Sequence, residues 1–382
     1  VRILLDAREV FHPQPRGTGK NLVDLYCTLA AIKPDWEFVL AHEAPIQVPA
    51  LSAHPNIRPL RAELNIPGVW RINGWQEFVL PLLARREAAD VIHCPANVAP
   101  WIRLPRYVLT LHDLIPLEIA PQARETLAWV RRVRRSVWRA AHVITPSDYS
   151  KGRIANIIGR TSEVTTIPWA ADRKVHRVHD EAALAAIRAK YAGEGTRRFV
   201  LGFGASDPRK NTENIIRAFA ELDSSIRSEV HLVIVGIQSA ARARFVELAA
   251  ALGISDCTQL HGFADESDIS GLLSAADVLC YVSQSEGFGL PILDAFACGT
   301  PVITSDRSSL PEVIGEAGMR VDPFSTQAIT AALRKMLSSV PMREQFSALG
   351  AKRGQLYTWE RCARSYVEVF IAASHDGAKA PH

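Results

Sequence analysis

Residues Asp277–Thr304 read DVLCYVSQSEGFGLPILDAFACGTPVIT. The apolar run Asp277–Ser283 suits a buried strand, and Pro301–Thr304 suits the next one. Pro291 stands where a first helical residue belongs, and Gly299 stands where a helix stops. Between strand and helix lies a loop holding Glu286, Gly287, Phe288, Gly289 and Leu290. Glycines there let backbone N–H groups approach a ligand, and a helix start favours negative charge. Glu286 is placed on the loop and Asp294 in the first helical turn, where two carboxylates can grip hydroxyls on two parts of one ligand. Taken singly, Glu286 would be a solvated loop acid and Asp294 a dipole complement worth roughly 0.3–1 kcal/mol.

The same strand-then-helix grammar runs through the chain. Strands are expected at Arg2–Ala7, Glu37–His42, Asp90–Cys94, Tyr107–His112, His142–Thr145 and Val164–Ile167. A second series is expected at Phe199–Phe203, His231–Val235, Thr258–His261, Asp277–Ser283, Pro301–Thr304 and Met319–Val321. Helical patterns such as Glu181–Ala192, Glu213–Leu222, Ala240–Leu252, Asp268–Ala275 and Ala328–Ser338 lie between strands. Valine-, isoleucine- and leucine-rich strands alternating with helices imply parallel sheets covered on both faces. Two series imply two doubly wound, Rossmann-like domains, 1–170 and 171–358. Ligands bind beyond the carboxyl ends of such strands, so the cleft between two sets of strand ends is the expected site.

Composition agrees with that organisation. The chain has 382 residues, enough for two domains, and 48% of them are hydrophobic, too many for disorder. No apolar run approaches the ~20 residues of a membrane span. The start, VRILLDAREV, reads as a first strand rather than a signal peptide. Six scattered cysteines form no metal-spaced cluster, which fits reduced thiols in the cytosol. Residues 1–170 hold 21 Lys and Arg against 15 Asp and Glu, whereas the remainder holds 23 against 25. The basic first half suits an anionic partner or is an ordinary charged surface.

Further polar residues follow strands. In Gly202-Phe-Gly-Ala-Ser-Asp-Pro-Arg-Lys-Asn211, Gly204 opens a loop and Arg209 and Lys210 precede a helix, a cradle for a diphosphate. The incomplete glycine pattern speaks against a standard NAD site. Arg16-Gly-Thr-Gly-Lys-Asn21 lacks P-loop spacing and is otherwise a turn capping the next helix. His112 and Asp113 follow one strand and compete with His93 on the preceding one; a hydrogen-bonded structural histidine is the bland alternative. Ser147 stands at the next strand end. The basic stretch Glu125–Arg139, ETLAWVRRVRRSVWR, places Leu127, Val130, Val133, Val137 and Trp138 on one stripe. It suits an anionic membrane or a lipid-diphosphate acceptor. A sheet-covering helix with a solvated basic face is preferred, because the sheet needs the stripe. No aromatic platform accompanies the basic residues, so nucleic acid is not an expected partner.

The string around Glu286 resembles the signature of the family-four retaining glycosyltransferases, whose fold is GT-B: two Rossmann-like domains facing a central cleft. The resemblance implies that Glu286 meets the donor sugar and Asp294, where the family has Glu, the nucleotide ribose. It implies that Arg209 and Lys210 neutralise the donor diphosphate. Gly17 and Gly19 would face the donor phosphates, Gly262 and Phe263 of Leu260-His-Gly-Phe263 would lie by the nucleobase, and His112 would approach sugar and acceptor. Gly204, Gly287, Phe288, Gly289 and Leu290 complete the donor set, and the final helix, 359–373, would pack back on the first domain. The acceptor-binding residues are not readable. With no Asp-x-Asp motif, neither metal nor cofactor is expected. The implied reaction moves a hexose, mannose favoured, from a nucleoside-diphosphate sugar such as GDP-mannose to a carbohydrate or polyprenyl-diphosphate-linked glycan in polysaccharide assembly. Its place would be the cytoplasm or the inner face of the plasma membrane. Rival readings are a sugar-nucleotide epimerase of the same fold, a non-catalytic glycan- or lipid-binding protein, and a nicotinamide-dependent dehydrogenase.

Overall fold

The computed structural model describes residues 1–13, 17–64, 74–102, 104–119, 122–195 and 198–375. The chain divides into two compact units, Val1–Trp169 with the segment from Thr358 onward, and Ala170–Tyr357. In the first unit, β1 (Arg2–Asp6), β2 (Glu37–His42), β3 (Ile57–Arg61), β4 (Val91–Cys94), β5 (Tyr107–Thr110), β6 (His142–Thr145) and β7 (Val164–Thr166) form one sheet. Its order is β3-β2-β1-β4-β5-β6-β7, with every neighbouring pair parallel. In the second unit, β8 (Arg198–Phe203), β9 (Val230–Val235), β10 (Thr258–Leu260), β11 (Val278–Tyr281), β12 (Val302–Ser305) and β13 (Met319–Val321) order as β10-β9-β8-β11-β12-β13. These too are all parallel.

Both sheets wind outward from their first strand in one direction and then in the other. The order reverses between β1 and β4 in one unit and between β8 and β11 in the other. At such a reversal the flanking helices lie on opposite faces, which opens a crevice at the carboxyl ends. The strands are buried because helices cover both faces. Val200, Leu232, Val278 and Ile303 sit in one core with helix residues Ile216, Phe219, Leu333 and Met336. In the first unit, Leu4, Ile92, Leu109 and Val143 pack with Leu80, Val133 and Val137. The final helix, Trp359–His375, lies against that first sheet. Its Tyr366 hydroxyl is 3.2 Å from Thr110 Oγ1, and Tyr366 and Phe370 each place a ring 5.6 Å from His93.

The departures from expectation have local causes. β3 was not anticipated: its sequence, IRPLR, buries only Ile57, and it is an edge strand, where Pro59 is tolerated. The strand expected through Ser283 ends at Tyr281, because the Val282 carbonyl accepts from the Asn211 side-chain amide at 3.0 Å. The helix Arg124–Arg139 buries Thr126, Val133, Ser136 and Val137, leaving Leu127 and Trp138 of the expected stripe exposed. Ser136 belongs on the buried side because its hydroxyl meets the Ala99 N–H (2.9 Å) and the Arg132 carbonyl (2.8 Å).

Gly318 precedes β13 at a point where a Cβ would lie 2.5 Å from the Val302 carbonyl oxygen of β12. Backbone cannot yield as a side chain does. Gly318→Ala should therefore cost about 1–3 kcal/mol, measured by urea unfolding, and shift β13 relative to β12.

Candidate functional site

The crevice at the β8–β11 reversal is lined from two directions. After β8, Asp207 caps a short 3-10 turn, Pro208–Lys210, its Oδ1 accepting the Arg209 N–H at 3.0 Å. Asn211 follows with φ 61°, held by its side-chain amide donating to the carbonyls of Val282 (3.0 Å) and Pro323 (2.7 Å). The Gln284 N–H then donates to the Arg209 carbonyl at 2.7 Å. Thus the loop carrying both cations is fastened to the loop carrying Glu286. Gly204 instead lies close to β9, where a Cβ would meet Ile234 Cγ2 at 2.5 Å.

Arg209, Lys210 and Glu286 meet directly. Lys210 Nζ is 2.6 Å from Glu286 Oε1, and Arg209 Nη1 is 3.1 Å from Oε2. The Tyr281 hydroxyl donates to Oε1 at 2.7 Å, and Lys210 also reaches that hydroxyl at 3.3 Å. Arg209 Nε pairs with Asp207 at 2.7 Å. Burial alone pushes the Glu286 carboxyl up, but the charges and hydrogen bonds of Lys210, Arg209 and Tyr281 outweigh it and hold it below its ordinary value. Burial likewise pulls Lys210 down, and Tyr281 and Glu286 more than reverse it. All three are therefore charged at neutral pH. Two cations and two carboxylates make a neutral cluster, whose cationic side chains keep about a quarter of their surface exposed (24% and 23%). Among the described residues, Arg209 Nη2 and one Lys210 proton have no hydrogen-bond partner.

The loop beyond Glu286 is fixed through its backbone. Its N–H donates to Ser308 Oγ (3.0 Å), and Ser309 Oγ lies 2.8 Å from the Glu286 carbonyl and 2.7 Å from that of Phe288. Gly289 has φ 127° and caps the helix Leu290–Cys298; a Cβ would come 2.8 Å from Leu310. Pro291 and Gly299 stand at the start and stop of that helix. Phe288 packs edge-on to Tyr357 with ring centroids 6.0 Å apart. Asp294 departs from expectation. The helix begins at Leu290, so Asp294 lies past the first turn, where its Oδ1 accepts the Asp172 N–H at 3.1 Å. Gly262 accepts from the Gly236 N–H at 2.7 Å, and Phe263 beside it is 78% exposed.

In the first unit, Gly17 and Gly19 begin the helix Gly17–Ile32 rather than forming a loop, and Arg16 lies outside the described residues. His93 is structural: Tyr26 and Thr110 hydroxyls hold its two ring nitrogens at 2.9 and 2.8 Å, and burial pulls its pKa down to about 3. His112 follows β5, its N–H held by Asn97 (2.7 Å) and its Nε2 2.8 Å from the Pro95 carbonyl. A carbonyl only accepts, so Nε2 carries the proton of the neutral ring and Nδ1 is the acceptor. Burial lowers the His112 pKa against the pull of Asp113 and the Pro95 bond. Asp113 caps the Ile115 N–H at 3.0 Å, and Ser147 caps the helix Asp148–Ile158. Among the described residues, no group of three or more His, Cys, Asp or Glu could hold a metal ion. Sequence reasoning missed Tyr281, Ser308 and Ser309. Tyr281 carried a usable signal, as a polar-tipped residue inside the apolar run that leads into the Glu286 loop.

Two family models match. Residues 27–174 fit Glycosyltransferase Family 4, and residues 185–353 fit Glycosyl transferases group 1. The chain belongs to the family-four glycosyltransferases. Among relatives of this glycosyltransferase, O-antigen chain mannosyltransferase B of Escherichia coli is 28% identical over 75% of this chain and 76% of its own length. The serotype-specific mannosyltransferase WbdA of Escherichia coli is 26% identical over 77% of this chain but only 36% of its own length. The fold is GT-B, shared with sucrose-phosphate synthase of Thermosynechococcus elongatus (TM-score 0.77, 20% identity, covering 97% of this chain and 98% of that one). It is shared too with WaaG, a glycosyltransferase involved in lipopolysaccharide biosynthesis (TM-score 0.72, 17% identity, 97% and 99%).

Replacing Glu286 by Gln leaves Lys210 uncompensated and Arg209 with Asp207 alone, which should cost on the order of 3 kcal/mol of stability at neutral pH. A carboxyl with a lowered folded pKa stabilises above its unfolded value, about 4.3, and loses that contribution as pH falls through the folded value. The stability gap between the protein and Glu286→Gln should thus be constant from pH 5 to 8, on the order of the full difference, and close below about pH 4.

Proposed function

We propose that this glycosyltransferase moves a hexose, mannose favoured, from a nucleoside-diphosphate sugar to a glycan or polyprenyl-diphosphate-linked glycan acceptor, with retention and without a metal ion. The observation that carries the reading is the Arg209–Lys210–Glu286 cluster at the β8–β11 reversal. Breaking the bond between sugar C1 and the diphosphate oxygen builds negative charge on the leaving group. Arg209 Nη2 and the uncommitted Lys210 proton are placed to receive it. Glu286 stays ionised, so it acts as an acceptor of sugar hydroxyls rather than as a proton donor. The acceptor oxygen bonds to C1 on the side the diphosphate leaves, and its proton passes to the departing phosphate oxygen.

The remaining residues position. The second unit takes the donor and the first takes the acceptor. Asp294, fixed by a backbone N–H, meets the ribose; Gly262 and Phe263 flank the base, with GDP preferred. Gly287, Gly289 and Leu290 offer backbone to the phosphates, and His112 orients sugar and acceptor. The mannosyl donor rests on what the mannosyltransferase relatives are named for, and polysaccharide assembly rests on the O-antigen relative. Sugar nucleotides are cytoplasmic, so the reaction is assigned to that side.

The test is calorimetric binding of GDP-, UDP- and ADP-sugars, with NAD and NADP alongside, in chelator, repeated on Arg209→Ala and Lys210→Ala. One sugar nucleotide should bind saturably. In turnover assays each substitution should lower kcat by about 10²–10³-fold, the usual loss of one electrostatic donor. Unchanged turnover in both variants would remove the diphosphate assignment. Conversion of the donor without an acceptor would make the protein an epimerase.

A further inference from the structure

Tyr281 ends β11, an interior strand of the second sheet, and the packing there does not call for a hydroxyl. Its strand neighbours Val278, Leu279 and Cys280 are buried and apolar, and a phenylalanine would fill the same space. The residue is held firmly: it is buried, and Thr304 Oγ1 on β12 donates to its carbonyl at 2.7 Å. Its hydroxyl lies 2.7 Å from Glu286 Oε1 and 3.3 Å from Lys210 Nζ, and that ammonium stands 5.5 Å from the centre of the ring. The direction of each bond follows from the groups present. An ammonium only donates, and an ionised carboxylate only accepts. Burial and then the charge of Glu286 push the Tyr281 pKa up, so the phenol keeps its proton. Tyr281 therefore donates to Glu286 and accepts from Lys210.

We propose that Tyr281 is a positioning residue for the transfer: it aims the Lys210 ammonium at the leaving diphosphate and reserves Glu286 Oε2 for the donor sugar. The proposal rests on the sugar-transfer reading and deepens it. Of the three Lys210 protons, Glu286 Oε1 takes one and the Tyr281 oxygen a second. Two anchors fix the nitrogen and with it the direction of the third proton. With one anchor, the flexible four-carbon stem lets the ammonium swing. The same bridge divides the carboxylate. Oε1 accepts from both Lys210 and Tyr281, which uses its two lone pairs. Among the described residues Oε2 accepts from Arg209 Nη1 alone, at 3.1 Å, and keeps one lone pair for a sugar hydroxyl. Arg209 does not lean on Tyr281, because Asp207 holds its Nε at 2.7 Å and the Ser285 carbonyl its Nη1 at 3.2 Å. Removing the hydroxyl therefore acts through Lys210 and leaves Arg209 in place.

The test is a double-mutant cycle on the full chain. It reads release of the nucleoside diphosphate from GDP-mannose and from UDP-glucose with water as the acceptor, so no glycan is required. Tyr281→Phe should lower kcat about 10–100-fold, the usual effect of losing one hydrogen bond to a charged group, and change the calorimetric donor Kd far less. In the Lys210→Ala background the same substitution should change kcat by less than about twofold, since the group it positions is gone. In the Arg209→Ala background it should keep an effect of about tenfold or more. Thermal melts check folding, and Tyr281→Met, which also lacks the hydroxyl, replaces Tyr281→Phe in the cycle if that variant does not fold. Equal losses in the two backgrounds make the hydroxyl a brace for the loop and overturn the proposal, as does an unchanged kcat in Tyr281→Phe. Either result, with saturable sugar-nucleotide binding intact, leaves the transferase reading standing. Absence of sugar-nucleotide binding to the unaltered protein removes that reading and this proposal together.

Discussion

Two cations stand side by side at the end of a buried sheet, and Glu286 between them is what makes that tolerable. Unpaired, Arg209 and Lys210 would repel one another in a region where water screens poorly. Glu286 gives one oxygen to each, and Tyr281 adds a hydroxyl to the oxygen that Lys210 uses. The carboxylate is in turn held by its own backbone, through Ser308 and Ser309. Asn211 closes the arrangement from the other loop, in a left-handed conformation stabilised by two carbonyls. Loosening any of these contacts would free a charged side chain to turn toward solvent.

The two units share a winding but not a chemistry. Each sheet reverses its order once and so offers one crevice. In the second unit the loops at the reversal carry the charged cluster. In the first, the strand after the reversal carries His93, buried among Tyr26, Tyr366 and Phe370. The C-terminal helix supplies two of those rings, which helps explain why a histidine at a carboxyl strand end is structural there. His112, one strand further out, keeps an acceptor nitrogen because only its other nitrogen is tied to a carbonyl.

Fold and site were legible to different depths. Long runs of valine, isoleucine and leucine report burial on both faces, so twelve strands could be placed from sequence to within two residues of their observed ends. β3 could not, because an edge strand with Pro59 and two arginines carries no such run. Arg209, Lys210 and Glu286 were legible because glycines and a helix start mark their loops. Their direct ion pairing was not, since it depends on the Asn211 latch between segments some 70 residues apart. The buried side of the basic helix was misjudged for a related reason. Hydrophobicity put Leu127 and Trp138 inside, whereas the hydrogen bonds of Ser136 set the helix rotation.

Neutrality of the cluster also constrains how the second unit can recognise an anion. Arg209 and Lys210 are matched by Asp207 and Glu286, so they project little long-range field, and residues from 171 onward carry slightly more acid than base. Attraction over distance therefore cannot supply selectivity there. What remains is short-range: one guanidinium nitrogen and one ammonium proton left over after the internal pairs are satisfied. Such donors reward a ligand whose oxygens fit their spacing and give little to a diffuse charge. The carboxylates that cancel the field also hold those donors still, so the same contacts that weaken attraction at a distance sharpen selection at contact.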